Sequence, residues 1–129
     1  MCDKYSIKVL LDVHAVKGSQ NGFDNSGVTH KVMWESEDRF YHLDVGEWMG
    51  PWNGDSYDYI DFKSLDWAVD TMDGLLDEWG HHPAVYAMEP VNEPWGKSDM
   101  WALKLFYRNV RALMRRKSPD LLFVFHHAF

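Results

Sequence analysis

Ala84-Val85-Tyr86-Ala87-Met88-Glu89-Pro90-Val91-Asn92-Glu93-Pro94-Trp95 is a short apolar run that ends in an amide and a carboxylic acid, bracketed by two prolines. The run reads as a strand from Ala84 to about Glu93, with its polar groups delivered at the carboxyl end. Pro94 disfavours the helical region for Glu93, so the acid is expected on extended backbone. A carboxylic acid so placed can protonate a leaving group, and Asn92 beside it can bond a substrate hydroxyl. The plainer reading is turn chemistry before a loop. Pro90 removes a ladder donor, so a bulge or irregular pairing is expected there.

Outward from this strand the pattern alternates. Upstream, Leu65, Ala68, Val69, Met72, Leu75, Leu76 and Trp79 fall on one helical face, which predicts a helix over Ser64–Trp79. Ser64 can cap its start and Gly80 can end it, with Pro83 barring continuation. Downstream, Leu103, Phe106, Val110 and Leu113 define a second helix from Ser98 to Lys117, whose Arg115-Arg116-Lys117 end suits a negative helix terminus. Leu121–His126 and Ser6–His14 complete the strands. Strands alternating with helices argue for parallel βαβ units and an α/β class, which leaves barrel and open doubly wound sheet both standing. The candidate polar groups, His14, Asn92, Glu93 and His126-His127, all fall at strand carboxyl ends, as the barrel rule requires.

A formal net charge of −7 disfavours nucleic acid and anionic membranes as partners, since both need a basic surface. No apolar run reaches the length of a membrane span, and the residues after Met1 form no signal-peptide core. One cysteine, Cys2, permits no internal disulfide. Seven Trp, six Tyr and seven Phe suit a carbohydrate site, because sugar C–H faces stack on aromatic rings, although aromatics also build cores. Residues 15–62 are too long for a routine connection. Trp34, Trp48, Trp52, Tyr57 and Tyr59, interspersed with glycines, predict an aromatic-rich loop packed over the mouth of the fold. With Trp95, the rings of Trp34, Trp48 and Trp52 are candidate sugar platforms; the alternative is that they pack the loop onto its scaffold.

Gly18-Ser19-Gln20-Asn21-Gly22-Phe23-Asp24-Asn25-Ser26-Gly27 follows a strand ending in Asp12-Val13-His14, and Asn92-Glu93-Pro94 follows in order. Together they resemble glycoside hydrolase family 5, most closely its exo-β-1,3-glucanase branch. The carboxyl-terminal Phe125-His126-His127-Ala128-Phe129 is similar to that branch's Phe-His-Asp-Ala-Phe, with His127 in place of Asp. The resemblance implies part of a (β/α)8 TIM barrel, about its third to fifth strands with two helices and a long loop after the third. A complete barrel needs about 250 residues. The chain of 129 residues is therefore expected to be an internal piece of one catalytic barrel, with strands on either side.

The same resemblance implies retaining hydrolysis of β-glucan, β-1,3-linked and exo-acting, with Glu93 as general acid/base and the nucleophilic Glu on a later strand. It implies that His14 lines the cleavage subsite and Asn92 bonds the sugar 2-hydroxyl, with Glu89 a structural partner. It implies no cofactor, and an extracellular or cell-surface location. Without its nucleophile the segment alone is expected to be inactive. A non-catalytic glucan-binding protein on a degenerate barrel is the second reading, which retention of Glu93, Asn92 and His14 disfavours. Metal binding through His14, His81-His82 and His126-His127 is a third. Adjacent histidines on a strand point to opposite faces and neither pair has i, i+4 spacing, so no metal is expected.

Overall fold

A computed structural model describes residues 2–27, 32–36, 39–42 and 45–128. Three strands form a parallel sheet in the order β1 (Val9–Asp12), β4 (Val85–Glu89), β5 (Leu122–Phe123). Two 18-residue helices, α1 (Phe62–Trp79) and α2 (Met100–Lys117), precede β4 and β5 respectively. The α/β class is as expected, and the strand expected over Ser6–His14, which is formed over Val9–Asp12 only, does neighbour the strand that leads to Glu93. A second, antiparallel pair, β2 (Val32–Ser36) and β3 (Arg39–His42), lies inside the long loop, where the sequence showed no pattern.

Each helix follows from its apolar stripe. Leu65, Ala68, Met72 and Leu76 are buried on α1, and Ala102, Leu103, Phe106, Val110, Leu113 and Met114 on α2. They share one core with Val13, Val16, Trp48, Met49, Met88 and Val91. Burying a side chain such as Phe106 contributes roughly 1.5–3 kcal/mol. Trp79 departs from the expected face; it is 43% exposed at the last turn, beside His82.

The caps differ from the sequence expectation by a residue or more. Asp61, not Ser64, caps α1: its carboxylate accepts from Lys63 N at 3.0 Å and from Ser64 Oγ at 2.9 Å. Asp99, not Ser98, caps α2, accepting from Ala102 N at 2.8 Å. An ionised acceptor makes the stronger bond to orphan backbone donors and also suits the positive helix end. Gly80 ends α1 without a left-handed turn, at φ −62°. Glycine is needed there for space, since a Cβ would sit 2.3 Å from Ser118 Oγ and 2.5 Å from Leu76 O.

Pro90 shapes the sheet as its chemistry demands. β4 stops at Glu89, and on the β5 side the ladder ends with Val124 N donating to Met88 O at 2.9 Å. The next bond would need an N–H from residue 90, which proline lacks. On the β1 side, Val13 N donates to Glu89 O and Asn92 N donates to Val13 O, each at 3.0 Å. A regular parallel ladder would return that second bond from residue 91, so one residue is looped out and the expected irregularity is present.

Candidate active site

Val13 joins the two strand ends that carry the candidate residues. Its peptide is bonded to Glu89 and Asn92, and the residues immediately beyond these anchors are His14 and Glu93. Both therefore emerge at the carboxyl end of adjacent parallel strands, β1 and β4.

The Gly18–Gly27 loop is bonded to this end through its side chains and backbone. Gln20 and Asn21 are 0% and 2% exposed. Gln20 Nε2 donates to His14 O at 3.0 Å, and Gln20 O accepts from Trp95 N at 2.9 Å. Asn21 Nδ2 donates to Glu93 O at 3.0 Å. Ser19 organises the turn itself: its hydroxyl bonds Ser26 Oγ and accepts from Gly22 N at 2.7 Å. Its carbonyl accepts from Trp48 N at 3.2 Å, tying down the segment after residue 45. Gly46 lies so close that a Cβ would stand 2.4 Å from Gln20 O. These buried amides support the backbone of the candidate residues, a part the sequence reading did not single out. A run of amide and hydroxyl side chains between Gly18 and Gly22 was the available signal, because buried polar groups must find partners.

Glu93 departs from the expected extended backbone. Its φ is +44°. Proline at 94 disfavours the right-handed helical region, and the carbonyl bond to Asn21 accompanies a left-handed conformation. For a residue other than glycine this conformation costs about 1–2 kcal/mol, and such strain gathers at functional sites. The Glu93 and Asn92 side chains are both partly exposed.

His14 is oriented by Asp12, whose Oδ2 lies 2.6 Å from His14 Nδ1. A ring that donates Nδ1–H to that carboxylate and is otherwise unprotonated would offer Nε2, 3.5 Å from Asn25 Nδ2, as an acceptor. Asp12 is also the register partner of Glu89 on the neighbouring strand. Burial, and then the Asp12 charge, push the Glu89 carboxyl above its ordinary value. His126 and His14 oppose the shift and Glu93 adds to it, so these five titratable groups share one field. Tyr107, behind them, donates to His126 O at 2.5 Å, and burial holds its hydroxyl well above the usual tyrosine range.

The four candidate platforms separate. Trp48 is 1% exposed and packs edge-on to Phe106 at 5.2 Å, so its ring belongs to the core and is closed to a sugar. Trp52 and Trp95 meet at 4.8 Å in a T-shaped pair. Tyr57 abuts Trp52 and donates its hydroxyl to Gly46 O at 2.6 Å; burial pushes that hydroxyl up to about 12. The Trp34 side chain lies outside the described residues. His127 is exposed, its ring 6.0 Å from that of His126. Among the described residues no group of three or more His, Cys, Asp or Glu is placed to hold a metal ion. None of the helices described is long and apolar enough to cross a membrane.

An α/β unit with acids, amides and imidazoles collected at the carboxyl end of a parallel sheet defines the class of site. The particular similarity is to glucan 1,3-beta-glucosidases, as the sequence resemblance implied. The chain is 57% identical over 129 residues to the glucan 1,3-beta-glucosidase of Blumeria graminis, covering 98% of this chain and 24% of that protein. It is 27% identical over 132 residues to the Yarrowia lipolytica glucan 1,3-beta-glucosidase, covering 99% and 25%. It is 28% identical over 129 residues to glucan 1,3-beta-glucosidase 1 of Schizosaccharomyces pombe, covering 98% and 26%. The chain thus spans about a quarter of the length of the curated relatives it matches. Its fold is similar to part of the rutinosidase from Aspergillus niger, with a TM-score of 0.57 and 16% identity over 99% of this chain and 34% of that one. No family model matches.

Proposed function

We propose that this chain supplies the third to fifth strands of a (β/α)8 barrel in a retaining glycoside hydrolase, with Glu93 as its general acid/base. The observation that carries the reading is the Val13 junction, which sets the Asn92-Glu93 end of β4 beside the His14 end of β1. Glu93 protonates the glycosidic oxygen as the aglycone leaves, then takes a proton from the water that attacks the glycosyl-enzyme. The nucleophile is a second carboxylate about 5–5.5 Å away, carried on another strand of the barrel. Asn92 bonds the sugar 2-hydroxyl, and His14, fixed by Asp12, presents Nε2 to the cleavage subsite. The similarity to glucan 1,3-beta-glucosidases supports β-1,3-glucan as substrate; exo action and work outside the cell or at its surface rest on the sequence resemblance alone.

The test uses the full-length protein. Glu93→Gln keeps shape and most hydrogen bonds but removes the transferable proton. Turnover of β-1,3-glucan should collapse, while an activated aryl glucoside, whose leaving group hardly needs protonation, keeps its first step. The unmodified enzyme should release the β-anomer. An unimpaired Glu93→Gln protein removes Glu93 from this role, and an α-anomer removes the retaining mechanism. The 129-residue segment by itself should not hydrolyse glucan.

A further inference from the structure

The sequence holds two Asn-Gly pairs, Asn21-Gly22 and Asn53-Gly54, and the fold treats them in opposite ways. In such a pair the main-chain nitrogen of the glycine can attack the asparagine side-chain carbon Cγ. The attack is intramolecular, closing a small ring, and no Cβ on the glycine obstructs it.

At Asn21 the attack is blocked. Asn21 is 2% exposed, and both ends of its amide are bonded, to Glu93 O and to Phe23 N. The nitrogen that would attack is also occupied, since Gly22 N donates to Ser19 Oγ at 2.7 Å.

Asn53-Gly54 meets none of these obstacles. It lies in an exposed turn between Trp52 and Tyr57, which pair as an isolated antiparallel bridge. Gly54 stands at φ +110° with nothing within 4 Å of the Cβ position. Among the described residues no backbone carbonyl accepts from Gly54 N.

The Asn53 amide is also polarised for the reaction. Its Oδ1 accepts from Asp55 N and from Ser56 N, each at 3.0 Å. Attack at Cγ drives the carbonyl electrons onto that oxygen, so the two N–H groups are already aimed at the charge that develops. Nδ2 donates to Asp58 Oδ1 at 2.9 Å, and a carboxylate there favours the protonated nitrogen that must depart.

We infer that Asn53 is a self-modification site, at which Gly54 N closes a succinimide on Asn53 Cγ and the side-chain nitrogen leaves as ammonia. The N–Cγ bond forms as the Gly54 proton passes to a base from solvent; the Cγ–Nδ2 bond breaks as Nδ2 takes a proton from water. Water then opens the ring at either carbonyl, giving aspartate or isoaspartate, and nothing is oxidised or reduced. The product carries a new negative charge beside Asp55 and Asp58 and has no N–H to offer Asp58. Isoaspartate also lengthens the main chain between the bridged Trp52 and Tyr57. This chemistry does not depend on the glycosidase reading.

The experiment incubates the folded full-length protein in neutral and in mildly alkaline buffer and follows the peptides holding residues 53 and 21 by mass and by separation of aspartate from isoaspartate. The residue-53 peptide should gain the mass of an amide-to-acid exchange, as a mixture of the two isomers, and faster at the higher pH because the attacking nitrogen must shed its proton. The residue-21 peptide should convert about tenfold more slowly or not at all, because its bonds must break first. In guanidinium-unfolded protein the two peptides should convert at similar rates. Asn53→Gln, shown to be folded by its thermal melt, should abolish the gain at its peptide. A residue 53 that stays intact in the folded protein under conditions that convert it in the unfolded one overturns the site. So does a residue 21 that keeps pace with it in the folded protein, or a product free of isoaspartate, which would mean direct hydrolysis without the ring.

Discussion

Asn21 donates its side-chain amide to the backbone carbonyl of Glu93 at 3.0 Å, across 72 residues of sequence, while its own oxygen accepts from Phe23 N at 3.0 Å. One buried amide thus bonds both its own turn and the backbone of the proposed acid. Asn21→Ala strips both bonds and leaves a half-buried N–H and C=O unmet, so the unfolding free energy should fall by about 1–3 kcal/mol in a denaturant titration. In the full-length protein the same change should slow hydrolysis of unactivated glucan more than the first step of an activated aryl glucoside. Equal losses on both substrates would mean that Asn21 only holds the fold.

Two glycine-to-alanine changes should move stability in opposite directions. At Gly46 the new methyl would lie 2.4 Å from Gln20 O and 3.1 Å from the Trp95 Cβ, and neither the backbone nor the packed indole yields. Overpacking of this kind costs roughly 1–3 kcal/mol. Gly74 sits inside α1 with nothing within 4 Å of the Cβ position. There alanine should add about 0.5–1 kcal/mol by restricting the unfolded chain. Thermal melts of the pair check both signs.

Glu89 should give stability an acid-range slope. Burial and Asp12 raise its folded pKa above the unfolded value, so the folded state binds the proton more tightly. The resulting stabilisation is present below the unfolded carboxyl pKa and is lost as pH climbs through the folded one. Glu89→Gln should flatten that decline and be more stable than the unmodified chain at neutral pH. A decline of the same steepness in the variant would assign it to another carboxylate.

Tyr107→Phe removes the hydroxyl that donates to His126 O. The expected loss is about 0.5–1.5 kcal/mol, together with faster amide exchange along residues 124–127, because this bond ties the segment after β5 to α2. Exchange unchanged at these positions would count against that role.

The helices were legible because their information is local: the stripes of Leu65–Leu76 and Leu103–Leu113 repeat at the helical period and are buried as that period demands. The β2–β3 pair was not, since the intervening Glu37-Asp38 carries none of the Asn-Gly or Asp-Gly chemistry that marks a tight hairpin. The site's residue types could be read at His14, Asn92 and Glu93, but their supports could not. Pro94 narrows the choices for Glu93 without selecting the left-handed one, which is accompanied by a contact from Asn21. Trp48 likewise carries no local sign of its fate. Phe106, its partner in the core, is remote in sequence and adjacent only in space.

The Val13 junction also separates loop length from reaction geometry. His14 and Glu93 each stand a single residue from an atom bonded to, or covalently part of, the same peptide, so their backbone spacing is governed by links of about 3.3–3.6 Å. Beyond the Gly18–Gly27 loop, which bonds both backbones, the part of the excursion that carries the β2–β3 pair can change in length or sequence without touching either anchor. Variation in that stretch is thereby uncoupled from the backbone spacing of His14 and Glu93.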